Sequence, residues 1–219
     1  MSIKIDDRLD NTLVVHSFPS LVDADIRLGH TMDDDGLNAV LSFLNKLSNV
    51  KRLRVTGYIF EDLETANLLS TSLFAFTNLI TLEVSIIKAE QVRPLFTFLQ
   101  FSPNLESLIF GGVLIIDKAN KDALAVDVVP HCLLMNLKSI KFQNFEGQRN
   151  ELDLVKLFLK NAGVLQTVTI EIYSKKKTHS AKDVEDFNKK IMRQFLKFKW
   201  ASTNCLVKLS RSRYSYQNQ

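Results

Sequence analysis

Asn78-Leu79-Ile80-Thr81-Leu82-Glu83-Val84 and Asn104-Leu105-Glu106-Ser107-Leu108-Ile109-Phe110 are two copies of one pattern. An apolar residue is followed by a second three positions on and a third two beyond that. The same triplet recurs as Val50, Leu53, Val55, as Leu137, Ile140, Phe142, and as Leu165, Val168, Ile170, with a weaker copy at Leu21, Ala24, Ile26. The starts at 21, 50, 79, 105, 137 and 165 are separated by 29, 29, 26, 32 and 28 residues. Four of them follow an asparagine: Asn49, Asn78, Asn104 and Asn136. Chance supplies one such triplet in a chain rich in Leu and Phe, but not a series at a near-constant period. The spacing puts the last two residues of each triplet on one face of a short strand, with polar residues on the other. A lone strand of this kind does not bury its apolar face, whereas parallel stacking of successive copies gives a continuous core.

Between the triplets the apolar spacing becomes helical. Leu37, Val40, Leu41, Leu44 and Leu47 form one stripe, with Asp35 as expected N-cap. Val92, Leu95, Phe96 and Leu99 form another, where Pro94 is tolerable only in a first turn. Leu63, Ala66, Leu69 and Leu73 make a less regular stripe, and Leu152, Val155, Phe158 and Leu159 a fourth, closed by Asn161-Ala162-Gly163. The gap before Leu137 breaks the rule, because Pro130 interrupts it and no clean helix is visible there. Strand then helix at this period matches the leucine-rich-repeat template, at or just above its usual upper length. The expected fold class is α/β: a leucine-rich-repeat solenoid, a parallel β/α horseshoe, with a cap at its C-terminal end.

Composition narrows the function classes. The 219 residues are 46% hydrophobic and 24% charged, the balance of a globular domain, so disorder is excluded for most of the length. No two of the seven glycines have the spacing of a phosphate-cradling loop, which removes dinucleotide and P-loop readings. The net charge of +4 is unevenly spread: residues 1–110 carry 9 Lys/Arg against 14 Asp/Glu, and residues 111–219 carry 19 against 10. Such asymmetry can mark an anionic partner. Cys132 and Cys205 make neither a disulfide framework nor a zinc site. The longest apolar stretch, Leu108 to Ile116, is less than half a membrane span. Met1 to Asp10 is polar and acidic, unlike a signal or transit peptide, and no Asn-x-Ser/Thr acceptor occurs. The expectation is an intracellular protein, cytoplasmic or nuclear, with no membrane partner.

After Ile172 the pattern changes. Lys175-Lys176-Lys177 reads as a solvated loop, and a helix is expected next, with Ser180 and Asp183 as a variant capping box and Val184, Phe187, Ile191 and Phe195 as its apolar stripe. A strand is expected over Asn204 to Leu209, then a polar tail. The bland role of this segment is to cover the open end of the stack. Here a resemblance enters. His131-Cys132-Leu133-Leu134, Leu137-Lys138-Ser139-Ile140-Lys141-Phe142, Phe145-Glu146-Gly147, Glu151-Leu152 and Leu154-Val155 resemble the FBD module of plant F-box proteins. So do Leu157-Phe158-Leu159-Lys160-Asn161-Ala162, Val164-Leu165 and the closing Phe195-Leu196-Lys197-Phe198, Ala201-Ser202 and Cys205, with Lys199-Trp200 where the family often carries a proline. Residues 14–110 resemble the repeats that precede this module in F-box/FBD/LRR proteins. The implied organisation is a leucine-rich-repeat region over 1–129, an FBD-like module over 130–209 that includes the last repeats, and a polar tail over 210–219. Members of the family normally begin with an F-box that docks on a Skp-type adaptor of a ubiquitin ligase. Nothing in Met1 to Ser20 reads as that segment, and Thr12 to His16 reads as strand, so a Skp-type adaptor is not an expected partner.

Catalysis has little support. His16, His30, His131 and His179 are scattered, and no hydrolase or zinc-protease motif occurs. His30 with Asp33-Asp34-Asp35 is the one compact ligand-like group, and acidic residues before a helix are explained by its dipole. No metal and no cofactor are expected. Trp200 and the phenylalanines read as core rather than as stacking platforms for nucleic acid. The remaining surface is the concave face. One column there runs Asp25, Arg54, Glu83, Ile109, Lys141, Thr169 and a second runs Asp23, Arg52, Thr81, Ser107, Ser139, Thr167. Arg52, Arg54, Thr81, Glu83, Ser107, Ile109, Ser139 and Lys141 are the candidate contacts for a protein ligand, although Asp25, Arg54 and Glu83 would form a charge ladder that only satisfies itself. The expected function is a non-enzymatic protein-interaction module resembling the target-recognition part of a ubiquitin-ligase adaptor. The alternatives are a basic module for nucleic acid or another polyanion, and a truncated remnant.

Overall fold

The computed structural model describes residues 1–6, 20–29, 34–85, 87–111, 114–115, 124, 126, 128–173 and 181–211. In chain order its elements are β1 (Ser2–Asp6), β2 (Asp23–Arg27), α1 (Asp34–Lys46), β3 (Arg52–Val55), α2 (Tyr58–Thr65), α3 (Leu68–Thr71), β4 (Thr81–Val84) and β5 (Ile87–Lys88). There follow α4 (Val92–Gln100), β6 (Ser107–Phe110), β7 (Leu114–Ile115), α5 (His131–Met135), β8 (Ser139–Phe145), α6 (Arg149–Asn161), β9 (Thr167–Ile172), α7 (Ala181–Phe195) and β10 (Leu206–Arg211). Eight strands form one sheet in the order β1-β2-β3-β4-β6-β8-β9-β10, and β5 pairs with β7 in a small second sheet. Every pairing is parallel. The architecture is α/β and compatible with a leucine-rich-repeat-like fold.

Parallel sheets are usually covered on both faces and read as continuous apolar runs. Here β4 and β6 alternate half-buried and buried residues, and β9 does so along its whole length. One face of the sheet is therefore open. Every residue of the six sequence triplets is buried, and Val40, Leu44, Leu47, Leu63, Leu69, Val92, Leu95, Leu99, Val155 and Phe158 of the helical stripes share the same core. Register follows the triplets, with Ala24, Leu53, Leu82, Leu108, Ile140 and Val168 lying side by side. Phenylalanines fill the layer between sheet and helices. Phe98 sits 5.0 Å from Phe60 and 5.1 Å from Phe76 between ring centroids, and Phe110 stacks on Phe142 at 5.0 Å.

The asparagines before the triplets have a common use. The side-chain amides of Asn104 and Asn136 donate to the carbonyls of Thr77 and Pro103 in the preceding turns, at 2.8 and 2.7 Å. Asn78 reaches Asn49 at 3.4 Å. The backbone repeats the same step. The N–H groups of Ile80 and Thr81 both donate to Lys51 O, those of Glu106 and Ser107 to Ile80 O, and those of Lys138 and Ser139 to Glu106 O. Each turn therefore satisfies its exposed polar groups on the turn before it.

Several details depart from the sequence expectation. A strand precedes the first triplet: Ile3 and Ile5 in β1 align with Ala24 and Ile26. Its two apolar positions are too few to stand out in an acidic segment. The strand expected over Thr12–His16, His30 and Asp33, the Lys175–Lys177 loop, Ser180 and the end of the tail lie outside the described residues. Asp35 falls inside α1 rather than at its cap. The third stripe is split into α2 and α3 because Asn67 takes a left-handed conformation, φ 57°, which a short amide side chain tolerates. The segment before Leu137 does contain a helix, α5, which starts directly after Pro130, where a missing N–H costs nothing. β10 starts at Leu206, two residues later than expected.

Gly163 does not close α6 in a left-handed turn; that region holds only Gly147 among the described glycines. Gly163 is small for another reason. Its N–H donates to Leu133 O at 3.0 Å, and a Cβ there would lie 2.9 Å from Leu134 O. α6 begins with a capping box that the sequence reading missed: the Glu151 carboxylate accepts the N–H of Gln148 at 2.7 Å and that of Glu146 at 3.0 Å. Glu151 is buried, and burial pushes its carboxyl above the ordinary value of 4.5 against the pull of those N–H donors. The proton therefore binds the folded chain more readily than the unfolded one, and this contribution to stability is fully present below pH 4.5 and lost as pH rises through the raised value. Glu151→Gln should cost about 1–3 kcal/mol, because its amide NH2 faces backbone donors. The gap to wild type should widen as pH falls from neutral. Urea unfolding at a series of pH values reads both, and a gap independent of pH would refute the assignment.

Candidate binding face

The open face of the sheet carries two continuous columns. Ser2, Asp23, Arg52, Thr81, Ser107, Ser139, Thr167 and Leu206 form the first, and Lys4, Asp25, Arg54, Glu83, Ile109, Lys141, Thr169 and Lys208 the second. The structure thus brings all eight candidate residues onto one surface in adjacent rows, because the period of two along each strand turns alternate residues to the same side. All are half-buried except Arg52, which is exposed.

The charged end of this face is internally paired. Arg54 donates to Asp25 at 3.2 Å and to Glu83 at 2.8 Å. Arg27 holds the other side of Asp25 with two contacts of 3.1 Å, and Arg52 pairs with Asp23 at 2.8 Å. The bond to Glu83 holds the Arg54 guanidinium above its ordinary value, and that to Asp23 does the same for Arg52. Beneath these groups lies a shallow recess of about 380 Å³, running from Ser2 and Lys4 to Glu83 and Ile109. Toward the other end, Lys141 pairs with Glu171 at 2.8 Å, a diagonal partner two residues further along β9 than its neighbour Thr169. Glu171 is a member of the site that the column reading missed, since it considered only residues directly across.

Between the two charged ends the face is nearly neutral. Thr81, Ser107, Ser139 and Thr167 follow one another in the first column, Ile109 stands beside them in the second between Glu83 and Lys141, and Ser139 Oγ donates to Ser107 Oγ at 3.0 Å. Gly111, just beyond β6, keeps this strip open: a Cβ there would lie 2.7 Å from Glu83 Oε1 and 3.3 Å from Gln143 Oε1. The arrangement suits recognition of a surface by short polar side chains and one isoleucine flanked by fixed charges. Among the described residues no group of three or more His, Cys, Asp or Glu is placed to hold a metal ion.

The two thiols lie off this face. Cys132 Sγ, fully buried, points to Leu99 O at 3.5 Å, and burial pushes its thiol up to about 12. Cys205 is half-buried and is raised by the same cause. A thiol reagent should modify Cys205 slowly at neutral pH and leave Cys132 untouched until the chain unfolds. Fast labelling of Cys132 in the native protein, read by mass spectrometry, would refute its burial.

Fold and face together define a scaffold of parallel strands that displays an open polar surface. The pattern of the FBD family matches residues 127–170, from the approach to α5 to the middle of β9. Proteins of Arabidopsis thaliana are similar to the chain over much of its length. An F-box/FBD/LRR-repeat protein is 30% identical across 78% of this chain and 37% of its own length. An FBD-associated F-box protein is 27% identical across 62% of this chain and 28% of its own. A putative FBD-associated F-box protein is 25% identical across 89% and 40%. The chain spans less than half the length of these relatives. The resemblance to F-box/FBD/LRR-repeat proteins read from residues 131–205 is thus found independently. No solved structure matches the chain.

Proposed function

We propose that the chain is a non-enzymatic protein-interaction module, the counterpart of the target-recognition part of an F-box/FBD/LRR ubiquitin-ligase adaptor. In this reading the parallel strands are leucine-rich repeats stacked as a solenoid, the polar face is its concave side, and residues 130–209 are the FBD-like module that caps it. The observation that supports it most is the unbroken two-column register from β1 to β10, which turns eight strands into one surface without interruption. The names of the relatives add the association with F-box proteins.

The neutral strip around Ile109 is the place for a partner's apolar contact, and Arg52, Arg54, Glu83 and Lys141 set its orientation by charge. The test is proximity labelling in intact cells with wild type and Ile109→Arg, whose side chain lies on the open face. Loss of a discrete set of neighbours in the variant is the expected result, and labelling inside the cell would support an intracellular role. Identical neighbours for both chains would overturn the reading.

A further inference from the structure

The basic excess of the second half gathers on a surface away from the open face. Phe187, Ile191 and Phe195 of α7 turn inward, Phe187 and Ile191 against Gly147. Lys190 and Arg193 lie exposed on α7 at helical spacing, and Lys197 is exposed in the turn that follows it. Two hydrogen bonds bring the end of α7 to the end of α6. Trp200 Nε1 donates to Phe195 O at 3.0 Å, and Ala201 N donates to Leu159 O at 2.8 Å. The chain at Ala201 therefore reaches Leu159, the residue before Lys160, and Lys156, Lys160 and Lys199 are all exposed. None of these six cations has an ion-pair partner among the described residues. Elsewhere Arg27, Arg52, Arg54, Lys138 and Lys141 are all paired. Two helix C-termini end under the patch and offset roughly half a charge each, which leaves most of the positive charge uncompensated.

We infer that this surface docks an acidic, leucine-containing segment of a partner protein. Leu196 stands 76% exposed among the cations, an apolar contact that a phosphate backbone would not use. The aromatic rings nearby face inward or are tethered, so they offer no platform for bases: Phe195 is buried with Phe198 5.8 Å away, and Trp200 is held by its N–H.

The test uses the full chain and four fluorescent probes in anisotropy titrations. They are a short peptide of Glu with Leu every fourth residue, a Glu/Ser peptide of equal charge, single-stranded DNA and duplex DNA. At about 50 mM salt the Glu/Leu peptide should bind most tightly and weaken as salt rises. Lys160→Glu with Lys197→Glu should weaken it about tenfold or more, while Leu196→Ser should weaken the Glu/Leu peptide and not the Glu/Ser one. Lys141→Glu, on the open face, should leave it unchanged, which separates this surface from the proposed target site. Lys156→Glu with Lys199→Glu repeats the test should the first pair fail to fold, as judged by circular dichroism. Tighter binding of either DNA, no binding of any peptide, or insensitivity to both charge-reversal pairs would overturn the inference.

Discussion

Phe98→Ala is expected to lower the stability of the chain by about 3–5 kcal/mol, the cost of removing a large ring from a site that does not collapse. The ring is fully buried, and Phe60 and Phe76 lie against it at 5.0 and 5.1 Å. These three rings come from α2, the turn before β4, and α4, so the vacated space opens where consecutive turns meet. A domain stabilised by about 5–15 kcal/mol would lose a large fraction of that total. Phe74→Ser is the control: Phe74 is 62% exposed, and its loss should shift stability by no more than about 0.5 kcal/mol. Urea midpoints for the two variants decide the matter, and similar shifts for both would refute the placement of Phe98.

Arg54→Glu should give the second large effect, through charge rather than volume. It sets a third carboxylate between Asp25 and Glu83, which lie directly across from it on either side. Arg54 is 39% exposed and its partners about 20%, so solvent screens the repulsion only in part. A loss of about 2–3 kcal/mol is expected, less than for a fully buried pair. Salt distinguishes this from simple misfolding. Raising the salt to about 1 M shortens the Debye length to about 3 Å, so the variant should recover part of its deficit while Phe98→Ala recovers none. Equal salt responses would show that the ladder carries no electrostatic coupling. The same variant should lose binding to any partner seated on the open face.

Much of this fold was legible because each repeat states the same instruction. The triplets gave the strands and their register, since parallel stacking with a buried alternate face leaves one way to align Leu53, Leu82, Leu108 and Ile140. Where a single local conformation decides, the reading failed. Asn67 breaks a helix through its backbone dihedral alone, and Gly163 is required by the nearness of Leu134 O rather than by a left-handed turn. The strand β1 escaped because Ile3 and Ile5 are flanked by charges in a short edge segment. The two columns of the face followed from the same alternation, so their residues were readable. Their pairing was readable only where partners sit directly across, as Arg54 and Glu83 do. The diagonal Lys141–Glu171 contact needed the shape of the sheet.

The hydrogen bonds that join one turn to the next have a kinetic meaning. Asn104 reaches back 27 residues and Asn136 33, and Arg54 reaches forward 29 to Glu83. Neighbouring strands thus close loops of modest size, from 21 residues between Ser2 and Asp23 to 39 between Thr167 and Leu206. The entropy of closing a loop grows only with the logarithm of its length, so that spread changes the cost of each closure little. Pairing of one strand with the next therefore never has to wait for a loop much longer than those already closed. Gain or loss of one whole repeat would leave that search unchanged for all the others.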